Sequence, residues 1–162
     1  MIDGMVHNYD FAAHCFGEPV WVKSNPCRIR QDTSAWDTGT VLVGFEHGDQ
    51  IVVSWTWGLP AGVRASSACD VIGPNGVLFF PGSYDATKVE GKIDPATEGA
   101  YLMVLKDGAE KVIPFTRGAM FRDELRHFAE WVTAGSTPRV VAADGQRATR
   151  IAELALGGGG MI

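Results

Sequence analysis

The sequence of 162 residues predicts an α+β fold, with an open, mainly antiparallel β-sheet and helices packed on one of its faces. Helical periodicity occupies both ends of the chain, at residues 2–16 and 119–156. Between them, apolar residues recur with the period of two that is typical of strands. Asn75-Gly76 and Asp107-Gly108 lie between apolar runs, where such pairs are typical of the tight turns that join antiparallel strands.

The first helix is predicted over residues 2–16 and carries an apolar stripe at helical spacing. Gly17 suits the left-handed residue that follows a helix, and Pro19 cannot continue one, so the helix should end at Phe16. Residues three or four apart are neighbours on a helix surface, and one such set is apolar and predicted to face the core: Met5, Tyr9, Ala12 and Phe16.

The middle of the chain is predicted to form five to seven strands. They are expected within 19–24, 39–48, 51–58, 63–73, 76–82 and 101–116, with loops at 25–38 and 83–99. Because both faces of several strands are apolar, as at Leu42 and Val43, the face without helices should meet a partner or stay wet. Alternation places Trp55 and Trp57 on one side, where they either pack beneath the helices or line an interface.

Two helices are predicted to close the fold. The first, over 119–135, should bury Phe121, Leu125, Phe128 and Val132. The second, over 144–156, has Asp144 as a plausible N-cap and a small-residue buried face of Ala148, Ile151, Ala152 and Ala155. We therefore expect one domain over residues 1–156, followed by a flexible glycine-rich tail at 157–162.

Composition excludes several classes of partner. A formal net charge of −5, without a basic run, argues against nucleic acid or an anionic membrane. The first residues lack a basic segment followed by an apolar core, so no signal peptide is expected, and no apolar run reaches the ~20 residues that span a bilayer; a cytoplasmic location is therefore expected. Three widely spaced cysteines without a C-x-x-C pair argue against a disulfide framework or a thiolate zinc site.

A second stripe of the first helix carries the candidate chemistry: Asp3, His7, Asp10 and His14, at steps of four, three and four. It can be a solvated polar face. It can hold a metal ion, although three ligands would crowd a turn and a half of helix. It can also serve acid–base chemistry, because the pKa of histidine lies near neutral pH and a carboxylate one turn away favours and orients the imidazolium. The spacing alone leaves these alternatives open.

The sequence has no phosphate-binding loop. G-x-G-x-x-G after a strand, G-x-x-x-x-G-K-[ST] and G-x-S-x-G are all missing, and the glycines at 157–160 follow a helix rather than precede one. No bound NAD or NADP is therefore expected on this chain.

Four segments, in order, resemble the C-terminal domain of the Gfo/Idh/MocA oxidoreductases. "IDGMVHNYDFAAHCFGEPVWV" is similar to the motif that opens that domain, and "DTGTVLVGFEHGDQIVVSWTW" to its strand pair. "CDVIGPNGVLFF" is similar to its glycine-containing hairpin, and the run from "FRDELRHFAEWV" to "DGQRATRIAELA" to its closing helix pair. The resemblance covers residues 2–156.

The resemblance implies roles for residues of the first helix. His7 would be the acid–base group, and Asp3 would hydrogen-bond substrate hydroxyls and orient His7. Asp10 would support the pair from behind or be structural, and His14 has no counterpart. The family's Rossmann domain, and in most members a catalytic lysine, precede this motif and are not in the sequence given.

The implied function is that of the substrate-binding and assembly half of an NAD(P)-dependent enzyme. The substrate would be a sugar, polyol or related hydroxy compound, NAD or NADP would bind the full-length enzyme, and this chain alone would be inactive. The open sheet face would form a homo-oligomer, a dimer or tetramer. The alternative is a non-catalytic oligomerisation or binding module with the same fold, and a metal-binding protein is a third expectation.

Overall fold

A computed structural model describes residues 2–64, 67–94, 98–116 and 118–162, and for residues 2 and 3 it describes only the backbone. The chain divides into two compact units, residues 1–63 with 138–162 (unit 1) and residues 64–137 (unit 2). The elements are α1 (Ile2–Phe16), β1 (Pro19–Cys27), β2 (Thr38–Phe45), β3 (Gln50–Thr56), β4 (Asp70–Gly73), β5 (Gly76–Phe79), β6 (Glu98–Leu105), β7 (Glu110–Thr116), α2 (Met120–Ala134), α3 (Ala142–Leu156) and β8 (Gly159–Met161).

Unit 1 is an antiparallel sheet in the order β3-β2-β1-β8, with α1 and α3 packed together and against the sheet. The predicted alternation is present in β2, and it places Val41, Val43 and Phe45 in the core. The rest of this core consists of buried residues from both helices and β1, namely Tyr9, Ala12, Ala13, Val22, Ala148, Ile151, Ala152 and Ala155. Partly buried side chains of β3 pack against it: Ile51, Val53 and Trp55.

The two helices of unit 1 bury the predicted faces. All four residues predicted for α3 are buried, and the small side chains of its three alanines leave room for close approach to α1. The predicted N-cap is wrong by three residues. Val141 is the N-cap, and Asp144 is the third helical residue, whose carboxylate accepts a hydrogen bond from the Val141 backbone N–H at 2.8 Å.

The last six residues differ from the flexible tail expected of them. β8 pairs with β1, with Gly159 opposite Lys23 and Met161 opposite Trp21. Gly159 has φ +120°, and a Cβ there would collide with the carbonyl oxygen of Val22. The glycines therefore permit a close backbone approach, a requirement that composition alone does not distinguish from flexibility.

Unit 2 is an antiparallel sheet in the order β4-β5-β6-β7, joined through both predicted hairpins. Residues 84–88, between β5 and β6, contact the sheet: the Tyr84 hydroxyl donates to the Ala100 carbonyl at 2.6 Å and Lys88 pairs with Glu110 at 2.7 Å. The buried apolar residues described in this unit are few: Val89, Ala100 and Leu102.

One face of this sheet, here called the open face of unit 2, is mostly apolar and incompletely buried, with Lys111 opposite Met103. Residues directly opposite in an antiparallel pair point the same way, and Leu78 lies opposite both Val71 and Met103. The ring of Tyr101 lies 5.0 Å from that of Phe80 and 4.7 Å from that of Phe115. The open face comprises Val71, Leu78, Phe80, Tyr101, Met103, Ile113 and Phe115, all of them partly exposed.

The helix predicted over 119–135 is present as α2, but its apolar stripe is not buried. Phe121, Leu125, Phe128 and Val132 are all exposed, and no described residue of α2 is buried. Periodicity predicts which residues share a helix face, and it carries no information on what covers that face.

The α+β class and the mainly antiparallel pairing are confirmed, whereas the single open sheet is replaced by two four-stranded sheets. β1 runs beyond the predicted 19–24, and β4 is four residues long within the predicted 63–73. Over the described parts of the chain, no helix is both long and apolar enough to cross a bilayer.

Candidate functional site

The candidate site lies on α1, whose rotation about its own axis is set by the apolar stripe. Tyr9 is 0% exposed and Ala12 is buried beside it, so this side of the helix faces the core of unit 1. The polar stripe consequently lies toward the outside: His7 and His14 are exposed and Asp10 is half-buried. The structure thus presents an imidazole to solvent near the start of α1.

The predicted partnership of Asp3 with His7 lies partly outside the described residues. The backbone of Asp3 belongs to the first turn of α1, one turn before His7, but its side chain is not described. Neither His7 nor Asp10 makes a hydrogen bond or ion pair with another described side chain. The imidazole of His7 is therefore open to a ligand, and its relation to Asp3 stays a prediction.

Tyr9 adds a buried hydroxyl behind the stripe. The hydroxyl has no hydrogen-bond partner among the described residues, and burial raises the pKa of Tyr9 to about 12. The phenol is therefore neutral at physiological pH. It serves packing rather than proton transfer.

Trp57 lies against the first turn of α1, which sequence reasoning missed. A Cβ placed on Gly4 would lie 3.1 Å from Cζ2 of the Trp57 indole, so the ring packs closely over this glycine. Trp57 is nevertheless 61% exposed, in contrast with Trp55, which packs against the core. Period-two alternation predicted the same environment for both, but β3 ends at Thr56, before Trp57. The available signal was Gly4 itself, because a glycine within a helix has a cost that close packing can explain.

Asp37 holds the chain around Trp57. Its buried carboxylate accepts hydrogen bonds from the backbone N–H groups of Ile29 at 2.9 Å and Arg30 at 2.8 Å, and from the Thr38 hydroxyl at 2.9 Å. These bonds, led by that from Ile29, hold the pKa of Asp37 below its usual value. The Asp37 carbonyl oxygen in turn accepts from the Trp57 backbone N–H at 2.7 Å, so loop and strand end are tied together.

Two depressions of the surface are not lined by His7. One of about 590 Å³ in unit 1 runs along α3 and is lined by charged residues that include Arg147, Arg150 and Glu153. Arg147 there already pairs with Glu18 at 2.9 Å and with Asp144 at 3.2 Å. A shallower apolar depression of about 240 Å³ in unit 2 includes Leu78 and Met103 of the open face.

The other expected chemistries find no assembled site in the described residues. No group of three or more His, Cys, Asp or Glu side chains described here comes together as a metal site would require. Cys15, Cys27 and Cys69 are exposed thiols. What remains is an exposed imidazole on a rigidly packed helix, next to an exposed indole.

No protein-family model matches the sequence, and a comparison with curated proteins finds no relative. Solved structures do match. An oxidoreductase from Agrobacterium radiobacter, in complex with NAD+, L-tartaric acid and magnesium, aligns over 96% of this chain and 45% of its own, with a TM-score of 0.70 at 13% identity. Aldose-aldose oxidoreductase from Caulobacter crescentus, complexed with glycerol, aligns over 97% and 45%, with a TM-score of 0.71 at 18% identity.

Biliverdin reductase from Synechocystis, in complex with biliverdin and NADP+, aligns over 94% of this chain and 44% of its own, with a TM-score of 0.73 at 16% identity. The chain shares their fold. The resemblance to the C-terminal domain of Gfo/Idh/MocA oxidoreductases is thereby confirmed at the level of the fold. The chain spans a little under half the length of each of these three proteins.

Proposed function

We propose that this chain is the substrate-binding and assembly part of an NAD(P)-dependent oxidoreductase that acts on a sugar, polyol or related hydroxy compound. The observation that carries the proposal is the exposed His7 on α1, in a fold shared with oxidoreductases more than twice as long. Two of the matched structures hold NAD+ or NADP+, and one is an aldose-aldose oxidoreductase. Fold alone does not assign a substrate, so the proposal depends on the site.

The proposed role of His7 is proton transfer at the substrate hydroxyl. Oxidation of a CH–OH group to a carbonyl removes a proton from oxygen and a hydride from carbon. A neutral imidazole accepts that proton and returns it in the reverse reaction. Asp3, one turn earlier, would hydrogen-bond substrate hydroxyls and orient the ring, and Asp10 would support this pair or be structural.

A nicotinamide would supply the hydride acceptor, and the sequence lacks the usual motif for binding its pyrophosphate. No glycine-rich loop joins a strand to a helix N-terminus in the sequence, so nothing here cradles a pyrophosphate. We therefore expect the chain by itself to bind substrate weakly and to catalyse no hydride transfer.

Binding at His7 is tested by following the four histidine imidazoles by NMR while sugars and polyols are added. The variant His7→Gln identifies the His7 signals. At least one compound should shift them saturably, and the signals of His47, exposed in the turn between β2 and β3, should stay in place. A panel that never moves the His7 signals would contradict the proposal.

We further propose that the open face of unit 2 forms a homo-oligomer. Large apolar side chains across a sheet face, each left partly exposed, are typical of a surface covered by a partner. Leu78→Lys should convert an oligomer into a monomer in size-exclusion chromatography with light scattering. Ile72→Lys, on the opposite face, is the control and should leave the mass unchanged. A wild-type chain that is monomeric at all concentrations would contradict this proposal.

The same face supports the alternative of a non-catalytic assembly module. In that case the chain would oligomerise through the open face, and His7 would belong to a solvated helix surface. The two experiments separate these functions, because the module predicts a mass change with Leu78→Lys and no response of His7 to any hydroxy compound.

A further inference from the structure

Trp57 combines a restrained backbone with an exposed ring. Its N–H bonds to the Asp37 carbonyl at 2.7 Å. The next residue, Gly58, is buried so tightly that a Cβ there would lie 2.9 Å from Cβ of Ile29 and 3.1 Å from Oδ1 of Asp37. The backbone around Trp57 is therefore held in place, while the residue is 61% exposed and leaves much of its apolar surface in water. The exposed face of this indole is available for contact with a ligand.

The position of the ring relates it to His7. The indole packs over Gly4, where a Cβ would come within 3.1 Å of it, so glycine is what allows this approach. Glycine destabilises a helix relative to alanine, and it is used here where the ring must lie close. His7 follows Gly4 by three residues and is therefore its neighbour on the surface of α1. The exposed indole and the exposed imidazole thus border the same turn of helix.

We propose that Trp57 is a substrate-positioning residue that stacks on the C–H face of a ring-shaped sugar or cyclic polyol, while a ring hydroxyl is presented to His7. This inference rests on the proposed function and names its substrate class. The face of an indole is electron-rich and attracts the partial positive charge of C–H groups. A ring with equatorial hydroxyls offers such C–H groups on a preformed face. An open-chain polyol has the same hydroxyls but must lose conformational freedom to form one.

The test uses the five tryptophan indole N–H signals of the whole chain in NMR, with the Trp57 signal identified by its loss in Trp57→Phe. The probes are methyl β-D-glucopyranoside, scyllo-inositol and the open-chain polyol sorbitol. The Trp57 signal should shift saturably with at least one of the two ring compounds and more weakly with sorbitol. Trp131, an exposed indole of α2 in unit 2, is the internal control and should not move. No shift of Trp57 with either ring compound, or an equal shift with sorbitol, would overturn the inference.

Two variants test the geometry, with binding read from the His7 signals. Trp57→Ala should raise the dissociation constant of the ring compound by up to about tenfold. Gly4→Ala should act in the same direction, because its Cβ displaces the indole, although alanine favours the helix. A dissociation constant unchanged in both variants would contradict a positioning role.

This inference and the proposed function can fail separately. Should polyols shift His7 while Trp57 stays unmoved, the proposed function would stand and the stacking role would be wrong. Should ring compounds shift Trp57 while His7 does not respond, the chain would bind rings without presenting them to His7, and the proposed acid–base function would be wrong.

Discussion

The two units have sheets of equal strand number but very different burial. In unit 1, α1 and α3 cover the sheet and enclose a continuous core. In unit 2 few described apolar residues are buried, the open face is partly exposed, and the apolar stripe of α2 is exposed. The comparison indicates that unit 1 obtains its stability from its own packing and can hold a functional side chain in place, whereas unit 2 carries surface suited to a partner.

The largest expected effect comes from truncating matched isoleucines in the two units. Ile151→Ala removes a side chain that is 0% exposed in unit 1 and should lower the free energy of unfolding by about 2–5 kcal/mol. Ile72→Ala, at a position 79% exposed in unit 2, should change it by less than about 0.5 kcal/mol. Urea unfolding followed by circular dichroism measures both. Equal changes in the free energy of unfolding for the two variants would contradict the view that unit 1 has the better-packed core.

A smaller effect is expected from the buried hydroxyl of Tyr9. Because no described group pairs with it, Tyr9→Phe removes an unsatisfied polar atom and should leave the protein equally stable or more stable by about 1 kcal/mol. The same unfolding assay measures the change, with Tyr84→Phe as control. That variant loses the bond to the Ala100 carbonyl and should be destabilised. A destabilised Tyr9→Phe would show that the hydroxyl has a partner.

The carboxylate of Asp37 should make the loop around Trp57 sensitive to acid. Its pKa is lowered in the folded state, so its contribution to stability is full above the unfolded value of about 3.9 and declines as the pH falls through the folded value. Limited proteolysis of residues 28–36 across this range should show faster cleavage in acid for the wild type. Asp37→Asn should cleave rapidly at every pH, and a wild-type rate independent of pH would contradict the assignment.

Residue patterns predict most of unit 1 because its elements bury the faces that periodicity identifies. The stripe of α1, the alternation of β2 and the small-residue face of α3 all follow from spacing alone. Tertiary contacts decide the rest. Nothing in the pattern distinguishes glycines at the chain end that allow close strand pairing from glycines in a mobile tail, and nothing places Trp57 over Gly4.

The candidate site could likewise be predicted only in part from the sequence. Helical spacing alone places His7 on the outer side of α1, because the opposite stripe must be buried. The hydrogen bonds of Asp37 join residues of a loop to the ends of two strands, and no local sequence pattern connects these residues. The exposed apolar stripe of α2 escaped prediction, since amphipathic helices are expected to bury their apolar sides, whereas an apolar sheet face left for a partner was expected from the sequence.

Hydrogen exchange measured by mass spectrometry at high and low protein concentration tests the difference between the units most directly. Amides of β5 and β6 in unit 2 should exchange faster on dilution as their apolar face loses its partner, whereas amides of β1 and β2 in unit 1 should exchange at an unchanged rate. Exchange that is independent of concentration in both units, or that rises equally in both, would contradict the account.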